Sequence, residues 1–365
     1  MTTLVTISHK LVRTRAGLVA AVAAVGAVVG VGVAAGCGGD EAAGPTEVVL
    51  VTHDSFAVSK DVKAAFEAES GLRLRILQAG DANETLNRAL LTAGDPQGDV
   101  IFGIDDSVLS RALEGDLLEE YRPDALASVV GTYVVPYDRV TPIDHGEVCL
   151  NVDRAWFADR RLPLPRRLED LTDARYRNLL VVENPATSSP GLAFLLATVA
   201  RFGDDGWQAY WRDLRTNGVL AVDGWEEAYT QQFSGAAGSP GKRPIVVSYA
   251  TSPAAEVIFA AKPLDVAPTS AIEDGCYRQV EYAGILRGAR NEDGARKLID
   301  FMLSERFQAD VPGSMFVYPV REGVELPPAF VEHAIVPEDP LALPADDVDE
   351  NRDRWVDEWT EIVVR

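Results

Sequence analysis

The sequence has few of the residues that build metal centres. Its 365 residues include three cysteines and four histidines, the histidines are scattered, and no Cys-x-x-Cys motif is present. A metal site would need ligands that converge from distant segments, because none of these residues has the spacing of a zinc site. We therefore predict that the protein holds no metal and no cofactor.

Positive charge is scarce as well. The chain carries 34 Lys and Arg against 56 Asp and Glu, which gives a formal net charge of −22. Such a surface repels the phosphates of nucleic acids, so we exclude nucleic-acid binding. An acidic body is compatible with a cationic ligand, although a solvated acidic surface that keeps an exported protein soluble is the more ordinary explanation.

Sequence motifs of catalysis are also missing. No Walker loop, G-x-G-x-x-G or G-x-S-x-G motif is present, and no cysteine neighbours a histidine in a recognisable motif. An exported serine hydrolase would have to use Ser188 or Ser189, with His53 or His145 as the base. No motif supports that alternative, so we predict that the protein is not an enzyme.

The N-terminal segment contains a long apolar run. Three basic residues precede residues 16–36, which consist only of Ala, Val, Gly and Leu and end at Cys37. This order is typical of an export signal, and the Ala-Ala-Gly-Cys ending resembles a bacterial lipobox. We predict a lipoprotein signal over 1–37, a lipidated Cys37 and a linker over 38–46. An uncleaved membrane helix is the alternative, since about 20 apolar residues can span a bilayer.

The rest of the chain alternates between two periodicities. At 47% apolar residues it can form a sizeable core, and its length predicts two domains. The short apolar runs at 48–51 and 100–102 and the segment 72–77 are predicted strands, separated by helices that begin after Ser59 and near Leu86. This alternation implies a parallel sheet covered by helices.

The same alternation returns in the second half of the chain. Predicted strands lie at 179–182, 219–222 and 245–247, and predicted helices lie at 192–202, 207–214, 226–233 and in a segment ending at Ala261. A second α/β unit follows from this pattern. Toward the C terminus we expect a helix over 291–302, an extended strap over 336–350 and a last helix that buries Trp355 and Trp359.

Two helix starts in the second unit share one layout. Thr-Ser-Ser-Pro-Gly at 187–191 and Thr-Ser-Pro at 251–253 each follow a strand and open a helix. Free N–H groups at a helix start can hold an anion or a hydroxyl. Ordinary N-capping explains the same residues, so both interpretations stay open.

Acidic residues follow the first and third predicted strands. Asp54 lies after the first, and Asp105 and Asp106 lie after the third. Open α/β sheets bind ligands at this edge. Asp is also a routine turn residue, which is the plainer interpretation.

Aromatic residues gather near the same strand ends. Trp225 and Tyr229 are one helical turn apart, Tyr249 ends a strand, and Phe316 and Tyr318 lie in a predicted loop. Such residues can enclose a flat or cationic ligand. The spacing of these aromatic residues is equally consistent with a place in the hydrophobic core.

Six short motifs together resemble one family. They are His-Asp-Ser-Phe at 53–56, Asp-Val-Ile-Phe-Gly-Ile-Asp at 99–105, Thr-Ser-Ser-Pro-Gly at 187–191, Gly-Trp-Glu-Glu-Ala-Tyr at 224–229, Ser-Tyr-Ala-Thr-Ser-Pro-Ala at 248–254 and Tyr-Pro-Val at 318–320. In this order and at these spacings they are similar to thiamine-binding proteins of bacterial ABC transporters. The similarity runs from about Val48 to the helix with Trp355 and Trp359.

The resemblance implies a type II periplasmic binding protein fold. In that fold two α/β lobes, each with a mostly parallel sheet flanked by helices, are joined by two crossover segments and close over one ligand. We expect lobe I at 47–145 and 277–365 and lobe II at 146–276. The expected protein is a monomer, anchored on the extracytoplasmic face of the cell membrane, that delivers thiamine or its phosphates to the permease of an ABC importer.

The resemblance also implies a set of ligand contacts. Carried over position by position, these are Asp54, Ser55, Asp105, Ser188, Ser189, Gly191, Trp225, Tyr229, Tyr249, Ser252 and Phe316. Thiamine has a cationic thiazolium that suits aromatic faces and an aminopyrimidine that needs polar partners. Its hydroxyethyl arm, or a phosphate on that arm, would point to residues 187–191. His53 stands where the family often has Tyr, and Phe316 where it often has Trp.

Two further expectations depend on the resemblance. It places Cys149 and Cys276 in the adjacent crossover segments, and an oxidising compartment favours a disulfide there over two buried thiols. The alternative ligand is another small cation, such as a polyamine or a ferric ion. Related ferric sites use adjacent tyrosines, and Tyr249 has none beside it, which argues against iron.

Overall fold

The computed structural model describes residues 46–365. These residues belong to one compact unit. The predicted export signal, the lipidation of Cys37 and all but the last residue of the predicted linker lie outside the described residues.

One mixed sheet runs through the described part of the chain. Its nine strands are β1 (Glu47–Thr52), β2 (Arg73–Gln78), β3 (Val100–Asp105), β4 (Thr141–Asp153), β5 (Leu180–Glu183), β6 (Leu220–Val222), β7 (Ile245–Tyr249), β8 (Thr269–Ile285) and β9 (Tyr318–Pro319). The order is β2-β1-β3-β8-β4-β7-β5-β6, with β9 paired to β4.

The sheet has a parallel part at each end and an antiparallel centre. Strand β1 pairs in parallel with β2 and β3, and β5 pairs in parallel with β6 and β7. These are the two predicted α/β units. Between them β4 and β8, of 13 and 17 residues, pair with each other in antiparallel fashion. They cover the predicted crossover segments, so the predicted two-lobed α/β arrangement is confirmed.

Helices cover both faces of the sheet. They are α1 (Lys60–Ser70), α2 (Ala82–Leu91), α3 (Leu109–Glu114), α4 (Arg154–Arg160), α5 (Ser189–Phe202), α6 (Trp207–Thr216), α7 (Trp225–Glu227), α8 (Ser252–Ile258), α9 (Glu292–Met302), α10 (Glu305–Ser314), α11 (Pro328–His333) and α12 (Ala345–Val363). Helix α1 begins at the predicted cap: the Ser59 hydroxyl accepts from the Val62 amide, and Gly71 ends the helix in the left-handed region. Within 46–365 no helix is both long and apolar enough to cross a membrane.

Two helix predictions need correction. The helix expected to end at Ala261 ends at Ile258. The strap expected over 336–350 is wrong at its C-terminal end, because α12 already begins at Ala345. Two acidic residues, Asp346 and Asp347, occupy its first turn, where the helix dipole favours negative charge.

Two large apolar clusters form most of the core of the described residues. One is centred on the parallel strands β1 and β3 and includes Phe66 and Phe301, whose rings meet edge to face at 5.4 Å. The other includes Trp211 of α6 and Trp359 of α12, also edge to face at 5.4 Å. Helix α12 therefore packs against a helix of segment 146–276. The lobe boundaries themselves stay a prediction.

The disulfide prediction is confirmed. Cys149 of β4 and Cys276 of β8 are bonded across a sequence separation of 127. The register between the two strands shifts there, since Val148 pairs with Tyr277 and Leu150 pairs with Ile272. The bond thus lies at a β-bulge between the two crossover strands, and it ties them together.

Candidate ligand-binding site

A cavity of about 460 Å³ lies where the carboxyl ends of several strands meet. Its volume is in the usual range for small-molecule sites. Its walls come from the loop after β1, the starts of α2, α5 and α8, the segment after β6 and the loop between α10 and β9. The lining residues are His53, Asp54, Ser55, Phe56, Ala57, Asp81, Ala82, Ser189, Pro190, Trp225, Glu226, Tyr229, Thr230, Ala236, Ala237, Tyr249, Ser252, Ala255, Glu256, Phe259, Glu281, Ser314, Met315, Phe316 and Val317.

One wall of the cavity is aromatic. The rings of Trp225 and Tyr229 stack at 5.1 Å with 16° between their planes, and Tyr249 meets Trp225 edge to face at 6.4 Å. The short helix α7 continues into a wider π-helical turn over Ala228–Gln232, which carries Tyr229. A π-helical turn of this kind is often found at functional sites.

Hydrogen bonds fix the orientation of this wall. The Trp225 indole N–H donates to the Ser248 hydroxyl at 2.9 Å, and the Ser248 and Ser252 hydroxyls are 2.8 Å apart. Tyr249 packs directly on Gly146, where a Cβ would come within 2.8 Å of its ring. A side chain at position 146 would displace the tyrosine, so glycine is required there.

Acidic side chains form another part of the cavity. Asp81, which caps α2, accepts from its neighbour Ala82 at 2.6 Å and from the Trp225 amide at 2.9 Å. Burial raises the pKa of Asp81 to about 6, and the charge of Asp54 adds to the rise. Because Asp81 lies in segment 47–145 and Trp225 in segment 146–276, this bond joins the two predicted lobes.

A second group of titratable residues lies on the crossover strands. Glu281 of β8 faces Asp144 of β4 in the register of the two strands. Burial raises the pKa of Asp144 to about 7, and burial together with Asp144 raises that of Glu281 well above its ordinary value. His53 lies 3.7 Å from Glu281, and burial lowers its pKa to about 4. At neutral pH the imidazole is therefore uncharged.

The cavity lining contains no lysine and no arginine. Its acids therefore have no permanently charged basic partner on the wall itself, and the one imidazole there, His53, is uncharged at neutral pH. Among the described residues, no group of three or more His, Cys, Asp or Glu side chains is arranged to hold a metal ion. The arrangement suits a ligand that brings positive charge and a flat ring.

Most of the predicted contact residues meet at this cavity. Asp54, Ser55, Ser189, Trp225, Tyr229, Tyr249, Ser252 and Phe316 line it. The backbone of Phe316 has a φ of 60°, in the left-handed region. Its carbonyl accepts from the Thr251 hydroxyl, and its ring lies 4.7 Å from that of Phe259.

Three predicted contacts lie outside the lining. Asp105 is buried, and its carboxylate accepts from the Ser107 amide at 2.8 Å and from Gln279 at 3.1 Å. Ser188 is fully buried at the start of α5. Gly191 lets α5 approach β5, since a Cβ there would come within 2.7 Å of the Glu183 carbonyl oxygen. As ligand contacts these residues stay predictions.

Several lining residues carried no predicted role in binding. The sequence could have indicated Asp81, because this residue follows a predicted strand in the same way as Asp54 does. No local sequence feature indicates Glu281, since it lies inside a long strand whose partner strands are far away in the sequence. Glu256 and Phe259 are brought to the cavity by α8, and no local motif marks them.

Comparisons with known proteins agree with this geometry. A family model described as bacterial extracellular solute-binding protein matches residues 95–351. The thiamine-binding periplasmic protein of Escherichia coli strain K12 is 30% identical over 323 residues, covering 87% of this chain and 94% of that protein. The protein of that name from Salmonella typhimurium strain LT2 is 29% identical, with the same coverage.

A solved structure agrees as well. A periplasmic thiamin binding protein superposes with a TM-score of 0.78 at 28% identity, covering 87% of this chain and 96% of the other. The predicted fold is thereby confirmed. Because these relatives are binding proteins, the prediction that the chain is not an enzyme is confirmed too.

Proposed function

Since the chain belongs to the family of bacterial extracellular solute-binding proteins, we propose that its cavity captures thiamine, with or without phosphate on the hydroxyethyl arm. One observation carries the proposal. Stacked aromatic rings and buried acids share a cavity that has no lysine or arginine on its wall. The relatives named for thiamine binding support the same ligand.

The parts of thiamine match the parts of the cavity. The thiazolium is a flat cation, and an aromatic face attracts a cation by about 0.5–2 kcal/mol. Trp225 and Tyr229 provide that face. The aminopyrimidine offers N–H donors and ring-nitrogen acceptors, which suit the carboxyl groups of Asp81 and Glu281 and the neutral imidazole of His53. The hydroxyethyl arm would then meet the hydroxyls of the helix starts.

Delivery and anchoring belong to the same proposal. The protein would be lipidated at Cys37, remain on the extracytoplasmic face of the membrane as a monomer and pass its ligand to the permease of an ABC importer. Segments 47–145 and 277–365 would form one lobe and segment 146–276 the other. The bond between Asp81 and the Trp225 amide supports closure of these lobes around the ligand.

Titration calorimetry tests the ligand. We expect thiamine to bind at one site per chain, whereas spermidine and ferric citrate give no saturable heat. Thiamine diphosphate in a parallel titration measures the effect of the phosphates. Saturable binding of spermidine or ferric citrate without binding of thiamine would overturn the proposal in favour of another small cation.

A further inference from the structure

Glu256 is a buried acid on the cavity wall that lies outside the predicted contact set. It belongs to α8, and 6% of its surface is exposed. It lines the cavity beside Tyr229 and Ala237. A carboxylate that is nearly removed from water needs partners that compensate its charge.

The partners of Glu256 are both neutral. One carboxylate oxygen accepts from the Tyr229 hydroxyl at 2.8 Å, and the other accepts from the Ala237 amide at 2.9 Å. None of the ion pairs formed within residues 46–365 includes Glu256. Its hydrogen bonds are satisfied, while its charge is not neutralised by the protein.

Tyr229 connects this acid to the aromatic wall. Its ring stacks on Trp225, and its hydroxyl is held by Glu256. A phenol that donates to a carboxylate gives electron density to its ring, and a charge-assisted bond of this kind is stronger than a neutral one. A more negative ring face attracts a cation more strongly. The acid can thus act on a ligand through Tyr229 as well as through its own charge.

We propose that Glu256 is a positioning residue that makes the cavity selective for cations, by orienting and polarising Tyr229 and by leaving a negative charge that a bound cation compensates. This inference rests on the proposed function, because the cation in question is the thiazolium of thiamine. Burial raises the pKa of Glu256, as expected for a carboxylate with no basic partner.

The test compares ligands that differ in charge. Glu256→Gln keeps the shape of the side chain and removes the charge. We expect it to weaken binding of thiamine, and of the N-methylthiazolium derivative of the thiazole alcohol fragment, by about tenfold or more. Binding of the uncharged thiazole alcohol and of the free aminopyrimidine alcohol should change by less than about threefold. Equal losses for charged and uncharged ligands would indicate a merely structural role and overturn the inference.

Two more variants sharpen the test. Glu227→Gln is the matched control, because Glu227 precedes the π-helical turn but lies outside the cavity lining. Tyr229→Phe combined with Glu256→Gln forms a double-mutant cycle, in which we expect the combined loss of thiamine affinity to be smaller than the sum of the single losses. Additive losses would contradict an action through Tyr229.

The outcomes separate this inference from the proposed function. A wild-type protein that does not bind thiamine overturns both. A wild-type protein that binds thiamine, together with a folded Glu256→Gln variant of the same affinity, overturns only the role of Glu256. Circular dichroism and the melting temperature establish that the variant is folded. If Glu256→Gln does not fold, Glu256→Asp takes its place, because it keeps the charge. We expect Glu256→Asp to fold and to retain the preference for charged ligands. Loss of that preference in folded Glu256→Asp overturns the inference.

Discussion

Acidic side chains on the outer surface and acidic side chains in the cavity differ in their partners. On the surface Glu169 pairs with Arg201 at 3.0 Å, and Asp204 pairs with Arg354 at 2.9 Å. The hydrogen bond from the Trp355 indole, and next that from the Arg354 guanidinium, lower the pKa of Asp204. In the cavity no acid has an arginine or lysine beside it on the lining.

This difference shows where the negative charge of the protein is left unbalanced. Burial raises the pKa of Asp81 to about 6 instead of lowering it. Keeping unpaired carboxylates out of water costs folding free energy, so a well-packed protein has no structural reason to collect them in one place. In the proposed function a cationic ligand supplies the missing partner. Surface pairs contribute to local structure, whereas we propose that the cavity acids serve ligand binding.

Removal of the disulfide should lower the stability of the protein strongly and its thiamine affinity only slightly. Replacing Cys149 and Cys276 with serine opens a loop whose ends are 127 residues apart. In the chain-entropy model we expect a loss of about 4–5 kcal/mol in the free energy of unfolding. Urea denaturation measures it, and thiamine affinity under native conditions should stay within about threefold because the bond lies outside the cavity lining. A loss of affinity without a loss of stability would contradict this division.

The aromatic wall should give a large effect on binding. Trp225→Ala removes the ring stacked on Tyr229, so we expect thiamine affinity to fall by about 1–3 kcal/mol while the protein stays folded. Calorimetry measures the loss. Trp156→Ala is the control, since Trp156 lies outside the cavity lining and should leave affinity unchanged. An unchanged affinity in folded Trp225→Ala would remove Trp225 from the site.

Neutralising one acid in each region tests the comparison directly. Asp81→Asn removes charge from the cavity, and we expect thiamine affinity to fall by about 1–2 kcal/mol. Glu169→Gln removes charge from the surface and should not alter affinity. Calorimetry of both variants checks the difference. Comparable losses in the two would mean that overall charge, rather than the cavity acids, attracts the ligand.

Surface pairs should give the smallest effect. Arg201→Ala breaks partly exposed pairs with Glu169 and Asp274, and we expect their loss to cost less than about 1 kcal/mol in the free energy of unfolding. Urea denaturation in low and high salt measures this cost. A loss of several kcal/mol would mean that the surface ion pairs contribute strongly to stability, which would contradict the comparison.

Local signals in the sequence predicted much of the fold. The cap at Ser59, the stop at Gly71 and the alternating apolar runs depend only on neighbouring residues. The start of α12 was missed because the acids of residues 345–350 were interpreted as a solvated strap, although acids also suit the first turn of a helix.

Site residues that belong to local sequence motifs were predictable, whereas those that only long-range strand pairing brings to the cavity were not. Trp225, Tyr229 and Tyr249 were predicted from the family motifs, and the structure brings them together. Asp105 was predicted from its strand end and from the family motif at 99–105; its carboxylate accepts from Ser107 and Gln279, and its role as a ligand contact stays a prediction. Glu281 was missed because only the pairing of β8 with its distant partner strands brings it to the cavity.

Proton release on binding is the most direct test of the uncompensated cavity acids. The pKa of Asp81 is about 6 in the free protein, and a bound cation should lower it. Between about pH 5 and 7 thiamine binding should therefore release protons, and affinity should rise with pH by up to about tenfold per unit for each proton released.

Calorimetry in buffers of different ionisation enthalpy counts these protons. The same measurement on Asp81→Asn gives the number that comes from the ligand and from other groups. We predict a release at pH 6 that is reduced in Asp81→Asn. No proton exchange, or proton uptake, in the wild-type protein at that pH would contradict the account.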